Sequence, residues 1–174
     1  MNTLLSEKQY TKEDIINGAI IFHPGLSGYN ITANEIAFVF EEGSNFTHLQ
    51  APILDEFWNE FWDSEWYYMA KRTNDLERKK AIAFMSIWYW LATKARKMYP
   101  LEQDRVKRVA YMREAIRKKF DNNPHLKQKL MDTWEREIIE YTYWNDTFFW
   151  INQDTLRGMN VLGRLLMEYR DTHM

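Results

Sequence analysis

At 174 residues and 21.2 kDa, the chain is sized for one domain with a single core. Its 23 basic and 25 acidic side chains nearly cancel, so bulk charge points neither to a general nucleic-acid binder nor to an acidic tail. It has no cysteine, which excludes disulfides, thiolate metal sites and a cysteine nucleophile together.

The N-terminal stretch "MNTLLSEKQYTKEDI" reaches acids before any apolar core forms, so no signal peptide is expected. No apolar run is long enough to span a bilayer, and a reducing cytoplasm is the expected compartment. Residues 1–35 hold most of the loop signals, including "HPGLSGYN". "IAFVFEEG" (Ile36 to Gly43) reads as a strand stopped by glycine. From Ile53 the pattern turns helical: "ILDEFWNEFWDSEWYYMAKR" is a first long helix and "LERKKAIAFMSIWYWLATKARKMY" a second, ended by Pro100. "EQDRVKRVAYMREAIRKKF" follows as a third, and "NPHLKQKLMDT" as a short helix with Asn123 as cap and Pro124 at its first position. "EIIEYT" is a second strand; residues 145–153 are irregular and lead to a final helix capped by Asp154. No repeat or linker interrupts this order, so the expectation is one mostly helical α+β domain, 1–174, with a small β-sheet.

The basic clusters "ERKK", "KARK", "RVKR" and "RKK" read either as solvated helix faces or as a groove for a phosphorylated ligand. Aromatic residues make up 16% of the chain, and such rings build cores but also walls for planar ligands. Phe84, Ile87, Trp88 and Leu91 are spaced as a core stripe.

Polar residues inside apolar stripes are the candidates for chemistry. Leu54, Trp58, Phe61, Glu65, Tyr68 and Arg72 share one face if the first helix is continuous, which puts Glu65 where an aromatic core residue is expected. Desolvation there favours the neutral acid unless a cation such as Arg72 holds it ionised. Glu65 is thus either half of a buried structural pair or a carboxylate facing a ligand. In the last helix Asn160 interrupts the seam of Leu156, Gly163 and Met167, and Gly163 sacrifices about 1 kcal/mol of helix propensity, as if a backbone or ligand came close. If Asn160 faces a ligand, Asn160→Leu should hold or raise stability. Gly158 would lie in the first turn, where exposed N–H groups beside Arg157 suit a phosphate, although a capping Asp154 would compete for them. Asp146, between Trp144 and the Phe148-Phe149-Trp150 run, is a turn former or a catalytic acid with aromatic walls. The four histidines have no metal-ligand spacing, and there is no P-loop, dinucleotide glycine fingerprint or nucleophile elbow, so neither metal nor cofactor is expected.

"SEWYYMAKRTND" (Ser64 to Asp75), "MREAIRKKFDNNPHLKQKLMDT" (Met112 to Thr133) and "ND" followed by "GMNVLGRLLMEYR" (Gly158 to Arg170) resemble the YbiA-like family, also called NADAR domains. The family pattern runs roughly S-E-H-Y-x-Q-A-x-K-F, then K-F-x-x-N-x-x-L-x-x-x-L-x-x-T, then N-D-x-x-W-G, then G-x-N-x-L-G-x-x-L-M-x-x-R. The resemblance runs from about Gly43 to the C-terminus with the motifs in order. It implies N-glycosidase-type activity: relatives cleave the bond between ribose and a nitrogen in phosphorylated riboflavin-pathway intermediates, and others remove ADP-ribose from guanine bases. By position Glu65 matches the family's helix glutamate, Asp146 its "ND" acid, and Gly158, Asn160 and Gly163 its closing motif. These three would form one wall of a ribosyl-phosphate pocket, with Glu65 on the other.

Three positions depart from the pattern. The histidine after the glutamate is Trp66; the lysine seven residues after it is Arg72, with Lys71 one position earlier; and the glycine after the "ND" motif's tryptophan position is Trp150, preceded by Phe149. In some relatives that lysine is thought to attack a ring-opened sugar as an amine, which arginine cannot do. The expected activity is hydrolysis of a ribosyl N-glycosidic bond, with Glu65 and Asp146 dividing the charge-stabilising and acid roles. Arg72, Arg157 and Arg164 would hold phosphates, and Trp66, Phe149 or Trp150 would stack on the base. The expected partner is a phosphorylated ribosyl small molecule or an ADP-ribosyl-guanine nucleotide, with no membrane. The alternative is a module that binds ADP-ribose or NAD derivatives without turnover.

Overall fold

The computed structural model describes residues 3–11, 13, 20–22, 51–62, 64–86, 102–142, 147–152 and 154–174. In chain order they form a short 3-10 turn (Thr3–Leu5), β1 (Lys8–Gln9), β2 (Ile20–Phe22), β3 (Ile53–Leu54), β4 (Glu60–Phe61), α1 (Ser64–Lys71) and α2 (Leu76–Ser86). α3 (Arg105–Asn122), α4 (Pro124–Met131), β5 (Ile138–Thr142), β6 (Ile151–Asn152), β7 (Arg157–Gly158) and α5 (Val161–Asp171) complete the α+β fold. The chain divides into two compact units, Phe40–Lys127 and Met1–Val39 with Gln128–Met174. The expected strand Ile36 to Gly43 and the second half of the expected second helix, with Pro100, lie outside the described residues.

In the unit Phe40–Lys127, the expected long helix from Ile53 is instead a hairpin followed by a short helix. β3 and β4 pair antiparallel, with Ile53 opposite Phe61 and Leu54 opposite Glu60. Asp55 makes the turn: its Oδ1 accepts from the amides of Phe57 and Asn59 at 2.9 Å, and its Oδ2 accepts from Asn59 Nδ2 at 2.8 Å. A side chain that bonds the amides two and four residues on competes with helical hydrogen bonding, and Asp is well suited to it. Trp58 at the tip has φ +64° and is 81% exposed, so the stripe that seemed to run through it does not exist. α1 begins at Ser64, buries Trp66 to Ala70 and packs on α2 and α3. Asp104 caps α3 by accepting from Lys107 N at 2.9 Å. Asn123 precedes Pro124 as expected, and its amide joins α3 to the chain entering β3: Nδ2 donates to Lys119 O and Ala51 O, and Oδ1 accepts from Ala51 N. Phe84, read as core, is 67% exposed; its stripe partners lie outside the described residues.

The other unit is a five-stranded mixed sheet in the order β1-β7-β6-β5-β2 with α5 against β5. β5 is parallel to both β2 and β6, whereas β7 is antiparallel to β6 and β1. The strand expected at Glu137–Thr142 is present as β5. The final helix, however, starts at Val161, not after Asp154. Asn152 explains the difference. Its side-chain oxygen accepts from the amides of Asp154 and Thr155, and its carbonyl accepts from Leu156 N at 2.8 Å, which closes a turn between β6 and β7.

Asn160 is the true cap position of α5, in the left-handed region at φ 48° and ψ 41°, and it is completely buried. Its side chain makes no capping bond. Instead Oδ1 accepts from Glu140 N at 3.2 Å, while Nδ2 donates to Ile138 O at 2.8 Å and to the Tyr10 hydroxyl at 2.9 Å. One amide thus ties α5, β5 and the segment after β1. Gly163 allows it: a Cβ there would collide with the Ile138 carbonyl and sit 2.6 Å from Asn160 Oδ1. The expectation that Asn160→Leu preserves stability therefore reverses. Leucine would take the Asn160 partner from the buried Ile138 carbonyl and Glu140 amide, at about 1–3 kcal/mol each, and one of two partners from the Tyr10 hydroxyl, which keeps Glu137; it would also place a side chain in a conformation that disfavours it. Asn160→Leu should lose roughly 3 kcal/mol or more in urea unfolding; unchanged stability would refute the latch.

Candidate functional site

Glu65 stands in the first turn of α1, half-buried, and is followed by five buried residues, Trp66 to Ala70. A helix N-terminus favours negative charge, so this position suits an ionised carboxylate. Trp66 is 2% exposed, so its ring belongs to the core of its unit and offers little face to a base.

The two basic residues at the end of α1 have separate engagements. Lys71 Nζ is 3.5 Å from Glu56 Oε2 and 3.4 Å from Glu114 Oε2. Arg72 lies one residue past the helix; its Nε donates to Glu102 O at 2.9 Å and its guanidinium stands 5.2 Å from the Tyr68 ring centroid. This is a cation–π and carbonyl anchor.

Lys71 belongs to a charged network that the stripe analysis missed. Lys79, 6% exposed, reaches Glu56 Oε1 at 2.6 Å and also stands 5.1 Å from the Phe57 ring centroid. The Tyr67 hydroxyl donates to Glu114 Oε1 at 2.6 Å, and burial together with that carboxylate pushes the phenol far above its ordinary range. Lys118 Nζ donates to Leu54 O at 2.8 Å and lies 5.5 Å from the Tyr67 ring centroid. The network joins the hairpin to α1, α2 and α3. Glu56 lies in the hairpin turn and Lys79 within α2, and their meeting depends on the hairpin that periodicity concealed.

In the unit that carries α5, the closing motif is placed by packing. Gly158 lies in β7, not in the first turn of a helix: a Cβ there would collide with the Trp150 carbonyl and fall 2.8 Å from Ile151 Cα. Gly163 meets β5 and Asn160 is spent on protein partners, as described above. The anion site expected at the start of the last helix is filled by main chain, because Val161 N and Leu162 N donate to the carbonyls of Phe148 and Phe149 at 3.3 and 3.2 Å. Phe149 is 4% exposed and Trp150 partly buried. Arg157 is exposed and donates from Nε to Gln9 Oε1; Arg164 Nη1 donates to Ser6 O at 3.0 Å. Asp146 lies outside the described residues.

Sequence reasoning missed Tyr10, which is 1% exposed and bonded to Asn160 and, at 3.2 Å, to Glu137. Burial is the main cause that pushes its phenol up to about 12. Arg170, the last residue of the closing motif, is also structural: its Nη1 donates to Thr133 Oγ1 at 3.0 Å and to Arg136 O at 2.8 Å. Among the described residues no group of three or more His, Asp or Glu is placed to hold a metal ion, and no helix is long and apolar enough to cross a membrane.

The sequence profile of the NADAR domain matches residues 35–173, and the chain belongs to that family. Among solved structures it is similar to the E. coli protein YbiA, determined by NMR, at 25% sequence identity and a TM-score of 0.63; the match covers 89% of this chain and 86% of that one. No curated protein matches it. Family membership points to N-glycosidase-type chemistry.

The charged network gives a pH prediction. The Lys79 hydrogen bond is the main cause that holds Glu56 down to about 2, below its ordinary 4.5. A depressed folded-state value contributes stability above about pH 4.5, which is lost as pH falls toward 2. Because the Glu56 side chain is 45% exposed, solvent and salt screen the effect. Urea unfolding across this window should show a shallower acid loss for Glu56→Gln than for the parent; parallel curves would remove Glu56 from acid stability.

Proposed function

We propose that the chain hydrolyses a ribosyl N-glycosidic bond in a phosphorylated ribosyl heterocycle or an ADP-ribose- or NAD-derived substrate. The observation that carries this reading is Glu65: a half-buried carboxylate in the first turn of α1, within the residues that match the family profile and in a stretch that resembles the family's glutamate motif. Breaking the bond leaves oxocarbenium-like positive charge on the sugar, which an ionised carboxylate stabilises. The departing heterocycle nitrogen needs a proton, and water supplies the hydroxyl that completes the sugar at its anomeric carbon. Glu65 is assigned the charge-stabilising role from its helix position, and Asp146 the acid role from the family's "ND" motif.

Incubation with ribosylaminopyrimidine phosphates, ADP-ribose, NAD and ADP-ribosylated guanosine, followed by mass spectrometry, tests the reading through release of free base. Glu65→Gln should fold normally and turn over at least ~10²-fold more slowly. Full activity in that variant would take Glu65 out of the mechanism, and loss of folding would make it a structural acid.

A second reading, binding without turnover, draws support from the two residues at the end of α1. Lys71 is ion-paired to Glu56 and Glu114, and Arg72 is engaged by Glu102 O and Tyr68. As an ion-paired ammonium Lys71 has no lone pair with which to attack a sugar, and arginine is too basic to supply one. Borohydride treatment during incubation with each panel compound should therefore trap no adduct on Lys71. A trapped peptide carrying Lys71 would restore the amine route. A ligand-dependent rise in melting temperature with every panel compound left intact would favour the binding module.

A further inference from the structure

The segment Ser6–Tyr10 lies outside the residues that match the family profile, yet it makes contacts along the closing motif. β1 pairs with β7 so that Gln9 stands opposite Arg157 and Lys8 opposite Gly158. Directly opposed residues of an antiparallel pair share a face. The Gln9 amide uses both ends there: Oε1 accepts from Arg157 Nε, and Nε2 donates to Tyr10 O and Thr155 O, each at 3.1 Å. Gln9 is thereby fixed, and it fixes Arg157.

This hold uses Arg157 Nε and leaves Nη1 and Nη2, the end of the guanidinium that meets a phosphate in a two-point fork. Among the described residues no carboxylate pairs with Arg157. Lys8, the neighbouring cation on β1, is already ion-paired with Glu137 at 2.8 Å. A free surface arginine loses much rotamer freedom on gripping a ligand, and one already held loses less. We infer that Gln9 is a positioning residue that presents the Arg157 Nη fork to a phosphate or diphosphate group. The inference rests on the reading of the ligand as phosphorylated, and it adds a residue outside the family profile to its recognition.

Inorganic pyrophosphate is the probe, because its binding does not depend on glycosidase activity. Calorimetric titration of the full chain at low salt should give saturable binding that weakens as salt rises. Gln9→Ala should weaken it about 3- to 10-fold, the cost of ordering one long side chain anew. Arg157→Lys should weaken it too, since lysine has no fork and no Nε for Gln9 to hold. In the Arg157→Lys background, Gln9→Ala should then have no further effect, because Gln9 acts only through Arg157. A general structural role for Gln9 would give the same loss in both backgrounds and would overturn the inference. No saturable pyrophosphate binding by the parent would overturn it as well, whatever the base-release result. Saturable binding with this coupling, in a chain that releases no base from any panel compound, would leave the anion fork standing and remove the glycosidase reading alone.

Discussion

Much of the sheet-and-helix unit depends on the buried amide of Asn160. It satisfies the Ile138 carbonyl and the Glu140 amide on β5 and the Tyr10 hydroxyl after β1, from a left-handed position at the head of α5. Few residues meet all these demands. The backbone conformation favours Gly or Asn, and a side-chain amide can donate two bonds from its nitrogen while accepting a third at its oxygen, as this junction asks. Gly163 follows from the same constraint, because α5 must come close enough for Asn160 to reach β5. The family's closing motif in this chain is therefore largely a packing device. Motif membership carries information about the fold here before it carries any about ligand contact.

The same constraint explains how the sequence was legible and where it misled. β5, α2, α3 and α4 follow from β-branched content, periodicity and the Asn123-Pro124 pair, all of which are local signals. The polar interruption at Asn160 and the glycine at 163 were visible as anomalies, but a sequence cannot tell an amide that waits for a ligand from one that is spent on a strand some twenty positions away. The long helix from Ile53 failed for a different reason. Aromatic residues at three- and four-residue spacing fit a helix and also fit a short hairpin with a buried face, and the Asp55 side chain decided the matter by bonding the turn amides. Asp154 and Asn152 were a comparable choice: both can cap, and Asn152 closed a turn before any helix began.

Glu65 has a different environment in the structure from the one its spacing implied. In the expected long helix it interrupted the middle of an apolar stripe; in the structure it is a first-turn residue, where the helix dipole favours its charge. A mid-stripe carboxyl would suit a proton donor raised by desolvation, whereas a carboxylate at a helix N-terminus suits stabilisation of a cationic sugar.

The fates of Lys71 and Arg72 bear on the same choice. Lys71 ends α1 and Arg72 lies just past it, and the two cations are consumed by different partners, Lys71 by carboxylates of the hairpin and α3, Arg72 by a carbonyl and an aromatic ring. Arg72 keeps a positive charge in the motif but not a nucleophile, and Lys71 keeps an amine that the fold uses as a cross-link. A covalent route would have to break the Lys71 ion pairs with both Glu56 and Glu114 before the amine could attack. Cleavage by water asks nothing of that network, since it needs only charge stabilisation at the sugar and a proton for the leaving nitrogen. Carboxyl groups can supply both, so the proposed hydrolysis does not require an amine at the position of the motif lysine.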